Sequence, residues 1–217
     1  MDSAYFKEQL IARLVGEGYL KSPALISAFR KIDRGDFVPE ALRDQAYLNQ
    51  PLPIGFNQTI SQPLTVAFML ELLSPQPKDK ILEIGAGSGW QTALLGFIAQ
   101  TAKNKPAVVS IEILPELISR AKTNIAKYNY INKGIVKLVE GDGSKGYPPE
   151  APYDKIIAAA SAKQIPENWI QQLKEGGKIV APVKTSIMVL TKLKNSRIKT
   201  EEYPGFLFVP LIDNGKR

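Results

Sequence analysis

The 217-residue chain contains neither cysteine nor histidine. Without cysteine there is no disulfide framework, no thiolate nucleophile and no zinc–thiolate site. Without histidine, Ser–His–Asp and Cys–His catalysis are excluded in their usual forms, and the imidazole ligands common in metal sites are missing. No metal is expected. Chemistry has to run on carboxylates, hydroxyls, Lys, Tyr, backbone dipoles or a cofactor. No apolar run is long enough to span a bilayer, so no membrane is expected. The start, Met1-Asp2-Ser3-Ala4-Tyr5-Phe6-Lys7, has neither the charged nor the apolar region of a signal peptide. A cytoplasmic location is expected, and the absent cysteines are compatible with it.

The formal charge is +7 and the pI about 9.4. A basic balance admits nucleic acid or acidic protein as partners; the alternative is a solvated lysine-rich surface. Lys192, Lys194, Arg197 and Lys199 form the densest basic stretch, but Glu201 and Glu202 soon follow it. It also lacks the interleaved aromatics of a single-strand platform. No nucleic-acid partner is expected.

What is present is a strand that turns through glycines into a helix. In Lys80-Ile81-Leu82-Glu83-Ile84-Gly85-Ala86-Gly87-Ser88-Gly89-Trp90-Gln91-Thr92-Ala93, apolar residues precede three glycines at alternate positions. Such a turn presents backbone N–H groups and a positive helix end to a crevice. Glycine also lets a ligand approach the backbone. The dinucleotide fingerprint requires another small residue at the position Trp90 occupies. Glu-x-Gly-x-Gly-x-Gly instead resembles the first motif of Rossmann-like methyltransferases that bind S-adenosylmethionine. A purely structural glycine turn is the alternative.

Helical spacing marks residues 5–15, ending at Gly16 or Gly18, and a second helix opening at Ser22-Pro23 whose polar continuation ends at Gly35. Residues 36–60 read mostly as loop. Pro63 starts an apolar helix to Leu73, closed by Ser74-Pro75-Gln76-Pro77. Strands are expected at 80–84, 107–112, 134–139, 154–160 and 177–183, with helices at 89–99, 115–128 and 166–174. Ile187–Leu193 and Glu201–Leu211 add two more strands. This alternation predicts an α/β fold, a mostly parallel sheet with helices on both faces and an N-terminal helical extension; the methyltransferase resemblance implies that the sheet is Rossmann-like and doubly wound.

Two acids stand where such sheets bind ligands. Glu112 ends an apolar strand about twenty residues after the glycines, where an acidic residue takes ribose hydroxyls. A surface Glu before a helix is the other reading. Gly141-Asp142-Gly143 follows the next strand; Asp142 resembles the methyltransferase acid that meets the adenine amino group, or it forms an ordinary Asp-Gly turn. Glu83 is either a cofactor contact or a buried acid holding the loop.

Gln58-Thr59-Ile60-Ser61-Gln62-Pro63 resembles the hallmark of protein-L-isoaspartate O-methyltransferases. So do Pro51-Leu52-Pro53-Ile54-Gly55, Leu82 to Ala93, Gly141-Asp142-Gly143, Ala151-Pro152-Tyr153-Asp154-Lys155-Ile156-Ile157, Ile165-Pro166, Gln172-Leu173-Lys174-Glu175-Gly176-Gly177 and Phe208-Val209-Pro210-Leu211. The resemblance runs from about Leu10 to Leu211. It implies methylation of the carboxylate of L-isoaspartyl residues in damaged proteins. The ester then closes to a succinimide, which reopens partly to aspartate. It implies S-adenosyl-L-methionine as cofactor, with S-adenosyl-L-homocysteine as product, and isoaspartyl-containing proteins and peptides as partners of a monomer. Glu83, Gly85, Ala86, Gly87, Ser88, Gly89, Glu112, Ile113, Asp142 and Gly143 then bind cofactor. Ser61 becomes the active-site hydroxyl that positions the substrate carboxylate. Thr59, Ile60, Gln62, Val209, Pro210 and Leu211 bind substrate. From local sequence alone Ser61 reads as a helix N-cap; the resemblance reverses that preference, and both roles can hold together.

The resemblance also implies one methyltransferase domain over 1–217. Its parts are N-terminal helices and a substrate-side loop (1–60), a cofactor-binding core (61–183) and C-terminal strands (184–217). Three positions depart from the family pattern: Lys184 stands where glycine is usual, and Leu64-Thr65 stands where many members carry His or Tyr followed by Met. Three rivals remain. A nucleic-acid amino-methyltransferase usually carries Asp/Asn-Pro-Pro-aromatic, and the Pro148-Pro149 flanks, Tyr147 and Glu150, do not match. A small-molecule methyltransferase does not account for the Ser61 segment. A non-catalytic cofactor-binding protein is told apart only by turnover.

Overall fold

A computed structural model describes residues 3–99 and 106–212. Met1, Asp2 and the end of the C-terminal part, 213–217, lie outside the described residues.

Helices α1 (Ser3–Gly16) and α2 (Pro23–Lys31) bury Leu10, Ile11 and Leu14, and Leu25, Ala28 and Phe29. Helix α2 stops at Lys31, short of Gly35, because Ile32 turns extended and Asp33 caps a separate 3-10 turn by accepting from Gly35 N at 2.8 Å. The stretch 36–60 is not mostly loop. It holds 3-10 turns at Arg34–Phe37 and Glu40–Gln45 and a hairpin of β1 (Leu52–Gly55) and β2 (Gln58–Ile60). The apolar side chains Leu52, Ile54 and Ile60 face inward. Phe56 and Asn57, at φ 55° and 58°, make the two-residue turn. Neither residue is glycine, so the usual turn signal was missing from the sequence.

Helix α3 (Pro63–Leu73) leads into the main sheet: β3 (Ile81–Ile84), α4 (Trp90–Ala99), β4 (Val108–Glu112), α5 (Pro115–Ala126), β5 (Val136–Glu140), β6 (Tyr153–Ala158), α6 (Glu167–Gln171), β7 (Leu173–Val183), β8 (Ser186–Lys192) and β9 (Ile198–Pro204). The order is β5-β4-β3-β6-β7-β8-β9. The first five run parallel, and β8 and β9 are antiparallel additions. Both faces are covered, but unevenly. Ile81, Val108, Ile157 and Val180 pack under α1–α5, whereas Leu82, Val109, Ile156 and Ile179 meet Trp169 of α6 and nearby turns.

Two later stretches differ from expectation by several residues. The helix expected at 166–174 is only Glu167–Gln171, because Leu173 already pairs with Tyr153 in the sheet. Lys192 Nζ donates to the carbonyls of Ile170 and Leu173 at 2.9 and 2.8 Å, fixing that helix-to-strand change. The strand expected at Glu201–Leu211 is shifted to Ile198–Pro204. Gly205, at φ 95°, turns the chain out of the sheet, and Ser161 and Pro210 bridge instead. There Ser161 N donates to Val209 O, and Leu211 N to Ser161 O, each at 2.8 Å. Stacking of Phe206 on Phe68 of α3, 5.5 Å between centroids, pins the returning segment.

The order in which strands are added reverses between β3 and β6, since β4 and β5 lie on one side of β3, and β6 and β7 on the other. Parallel sheets place their ligand crevice at the carboxyl ends of strands at such a point. The residues following β3 and β6 there are Gly85 and Ala159.

Candidate active site

A cleft opens at that switch point. Its floor is Gly85–Ser88 with Ile84 and Ile111. One wall carries Glu112, Ile113 and Leu114 with Gly141 and Gly143; the other carries Gln58–Ser61, and Ala159, Ala160 and Val209–Leu211 close the rim. The structure thus brings the glycine loop, the Ser61 segment and the C-terminal segment to one place.

The loop is held from several directions. Gly85 N and Ala86 N donate to Ile111 O at 2.8 and 3.0 Å. Asn124 Nδ2 of α5 donates to Ser88 O at 2.9 Å. Gly87 sits at φ 55°, a left-handed angle that costs other residues about 1–2 kcal/mol. Gly89 serves packing rather than the cleft. A Cβ there would lie 3.0 Å from Ile125 and 3.3 Å from Ala121, so glycine lets α4 sit close on α5.

Glu112 lies at the cleft wall with its carboxylate already partly used. Oε2 accepts from Gly87 N at 2.9 Å, and Oε1 from Ile113 N and Leu114 N at 2.9 and 3.1 Å. It therefore shapes the loop as well as facing the cleft. Asp142 caps the 3-10 turn Gly143–Lys145, accepting from Ser144 N and Ser144 Oγ at 2.9 and 2.7 Å. The glycines on either side of it, rather than Asp142 itself, line the cleft. Trp169 Nε1 donates to Gly143 O at 2.9 Å and ties this turn to α6.

Glu83 is fully buried and away from the cleft lining. Ser110 Oγ and Thr92 Oγ1 donate to its Oε2 at 2.6 and 2.5 Å, and Gln91 Nε2 to its Oε1 at 3.0 Å. The side chain thus holds the start of α4 against β4, which is the loop-holding alternative and not the cofactor contact. Burial pushes its pKa up to about 7, against the pull of its three donors and with help from nearby Glu112.

Ser61 is not a helix cap. The N-cap position of α3 is Gln62, whose side chain makes no cap bond. Asn49 does the capping from an earlier turn: its Oδ1 accepts from Leu64 N at 3.0 Å. Gln62 turns away from the cleft, donating to Asn49 O at 3.0 Å and accepting from Thr65. Leu64 and Thr65, the departures from the family pattern, pack at the start of α3 and do not line the cleft. Lys184 sits in the two-residue turn between β7 and β8 at φ 55°, so the strand pairing there is intact without glycine.

Three contributors had no clear sequence signal. Arg34 is buried and donates to the Ser61 carbonyl. Trp90 lines the cleft at the start of α4. Asn49 sits in a stretch read as loop. An arginine between Ile32 and Phe37, both buried, was the one available hint. Among the described residues no cluster of three or more acidic side chains is placed to hold a metal, and no helix is long and apolar enough to cross a membrane.

The protein-L-isoaspartate(D-aspartate) O-methyltransferase family model matches residues 5–216. The chain belongs to that family. It is 45% identical over 210 residues to a protein-L-isoaspartate O-methyltransferase of Methanopyrus kandleri, covering 95% of this chain and 91% of the relative. A relative of the same description from Ignicoccus hospitalis is 44% identical, covering 95% and 97%. The fold matches a crystal structure from Plasmodium falciparum, described as a putative member of the family in complex with S-adenosyl-L-homocysteine. The TM-score is 0.84 at 23% identity, over 95% of this chain and 98% of that one.

Proposed function

We propose that this protein is an S-adenosylmethionine-dependent protein-L-isoaspartate O-methyltransferase that methylates the carboxylate of L-isoaspartyl residues in damaged proteins. The observation carrying this reading is a family match over residues 5–216 on a chain whose glycine loop and Ser61 segment face one cleft. The cleft fits the cofactor chemically. A left-handed Gly87 leaves the backbone open to close approach. The start of α4 favours a carboxylate, and the acceptor-only carboxylate of Glu112 suits hydroxyl donors.

The bound cofactor supplies a methyl group on a good leaving group. The acceptor carboxylate is ionised at neutral pH and needs no enzymic base, which suits a chain without histidine. The protein's work is placement: the loop fixes one partner, Ser61 orients the other, and the Thr59–Ser61 and Val209–Leu211 walls narrow the approach. Such positioning is worth roughly 7–11 kcal/mol of barrier in favourable cases. Thr59, Ile60, Val209, Pro210 and Leu211 receive the peptide in this reading, and the protein works as a cytoplasmic monomer. Incubation of an isoaspartyl peptide with enzyme and S-adenosylmethionine should convert part of it to the aspartyl form through a succinimide visible by chromatography. Unchanged peptide, with no methyl ester formed, would overturn the proposal.

A further inference from the structure

We propose that Arg34 is a positioning residue for the acceptor side of the cleft, acting through the backbone of Ser61; the inference rests on the function proposed above. Arg34 is 2% exposed. Its Nη1 donates to Ala46 O at 2.6 Å, and its Nη2 to Gln50 O and Ser61 O, each at 3.1 Å. Its Cζ lies 5.2 Å from the centroid of the Trp90 ring. One planar group thus touches the turn beside Asn49, the Ser61 segment and the first residue of the helix behind the glycine loop. These are the two sides of the cleft that have to be held in register.

The chemistry is an expensive way to fill space. A buried cation is costly unless paired, and among the described residues no carboxylate forms an ion pair with Arg34. Its charge is met by carbonyl dipoles and an aromatic face, and its Nε has no hydrogen-bond partner. An apolar side chain would pack there without that cost. It could not hold three carbonyls, from residues 46, 50 and 61, at one fork. Burial lowers the Arg34 pKa to about 9, with Tyr47 opposing, so the fork stays charged at neutral pH. Arginine's rigid planar donors suit this task, and the single ammonium of lysine does not reproduce it.

The test compares wild type, Arg34→Lys and Arg34→Met, each also in a Ser61→Ala background, at a temperature where every protein is folded by circular dichroism. Wild type is assayed first on an isoaspartyl peptide. Absence of turnover there counts against the proposed function and not against Arg34 in particular. With turnover present, kcat/KM for the peptide should fall on the order of tenfold in Arg34→Lys and further in Arg34→Met. S-adenosylmethionine affinity by calorimetry should stay within roughly threefold. In the Ser61→Ala background the Arg34→Lys loss should shrink to under about threefold, because interacting residues are non-additive. Wild-type kcat/KM in both variants would overturn the inference, and so would a loss that multiplies fully with Ser61→Ala. If neither variant folds, side-chain NMR of wild-type Arg34, assigned through its own backbone, replaces them. Its guanidinium resonances should shift when isoaspartyl peptide is added to protein saturated with S-adenosylhomocysteine. Resonances unmoved by the peptide would overturn it.

Discussion

Asn49 caps the helix behind Ser61: its Oδ1 accepts from Leu64 N at 3.0 Å. The Ser61 hydroxyl is therefore released from a capping duty that local sequence would have given it. Ser61→Ala should lower turnover on isoaspartyl peptide while leaving S-adenosylmethionine affinity and melting temperature nearly unchanged. Asn49→Ala should do the reverse in stability, costing about 1 kcal/mol. Thermal melts and steady-state kinetics on both variants separate the two roles. A Ser61→Ala enzyme with wild-type turnover would remove Ser61 from the mechanism.

Glu83 predicts a stability slope. Its pKa rises from 4.5 to about 7 on folding, chiefly through burial. Between those values the folded protein keeps a proton that the unfolded chain has released. Stability therefore falls as pH rises through this window and levels off above it. Glu83→Gln, which cannot ionise, should gain on wild type by roughly 1–3 kcal/mol between pH 5 and pH 7.5. Denaturant melts at the two pH values check this; parallel behaviour of the two proteins would contradict it. The methyl-transfer step itself should be nearly flat from about pH 6 to 8, because the acceptor carboxylate is ionised throughout.

The loop predicts a cofactor effect. Gly87→Val places a branched side chain at φ 55° on the cleft floor. S-adenosylmethionine binding by calorimetry should be lost. Glu112→Gln, which cannot accept at both positions, should weaken it on the order of tenfold. Wild-type affinity in Gly87→Val would refute the assignment of the loop.

Lys184 carries a left-handed backbone angle. Lys184→Gly should raise stability by up to about 1 kcal/mol, the strain relieved less the entropy glycine loses on folding. A lower melting temperature would mean that the lysine side chain contributes contacts that outweigh the strain.

The parallel core was legible because its signals are local. Ile81–Ile84, Val108–Glu112 and the glycines between them are each recognisable within a few residues, and all formed close to where expected. What was hidden depends on distant partners. The β1–β2 hairpin turns at Phe56 and Asn57 without glycine and is held by Arg120, which donates to Ile54 O. Helix α6 ends early because Leu173 is claimed by the sheet. At the site, the glycine loop and the Ser61 segment were readable as motifs. Glu83 was ambiguous because a buried acid and a ligand-facing acid look alike until Ser110 and Thr92 are seen beside it. Arg34 escaped because its partners are carbonyls, and those leave no mark in sequence.

The central claim is tested most directly by labelled methyl transfer to an isoaspartyl peptide beside its normal aspartyl twin. The two differ only in which carboxyl continues the backbone. The account predicts label, as a base-labile ester, on the isoaspartyl peptide and none above background on the twin. Equal labelling of both, or label on neither while S-adenosylmethionine still binds, would contradict it.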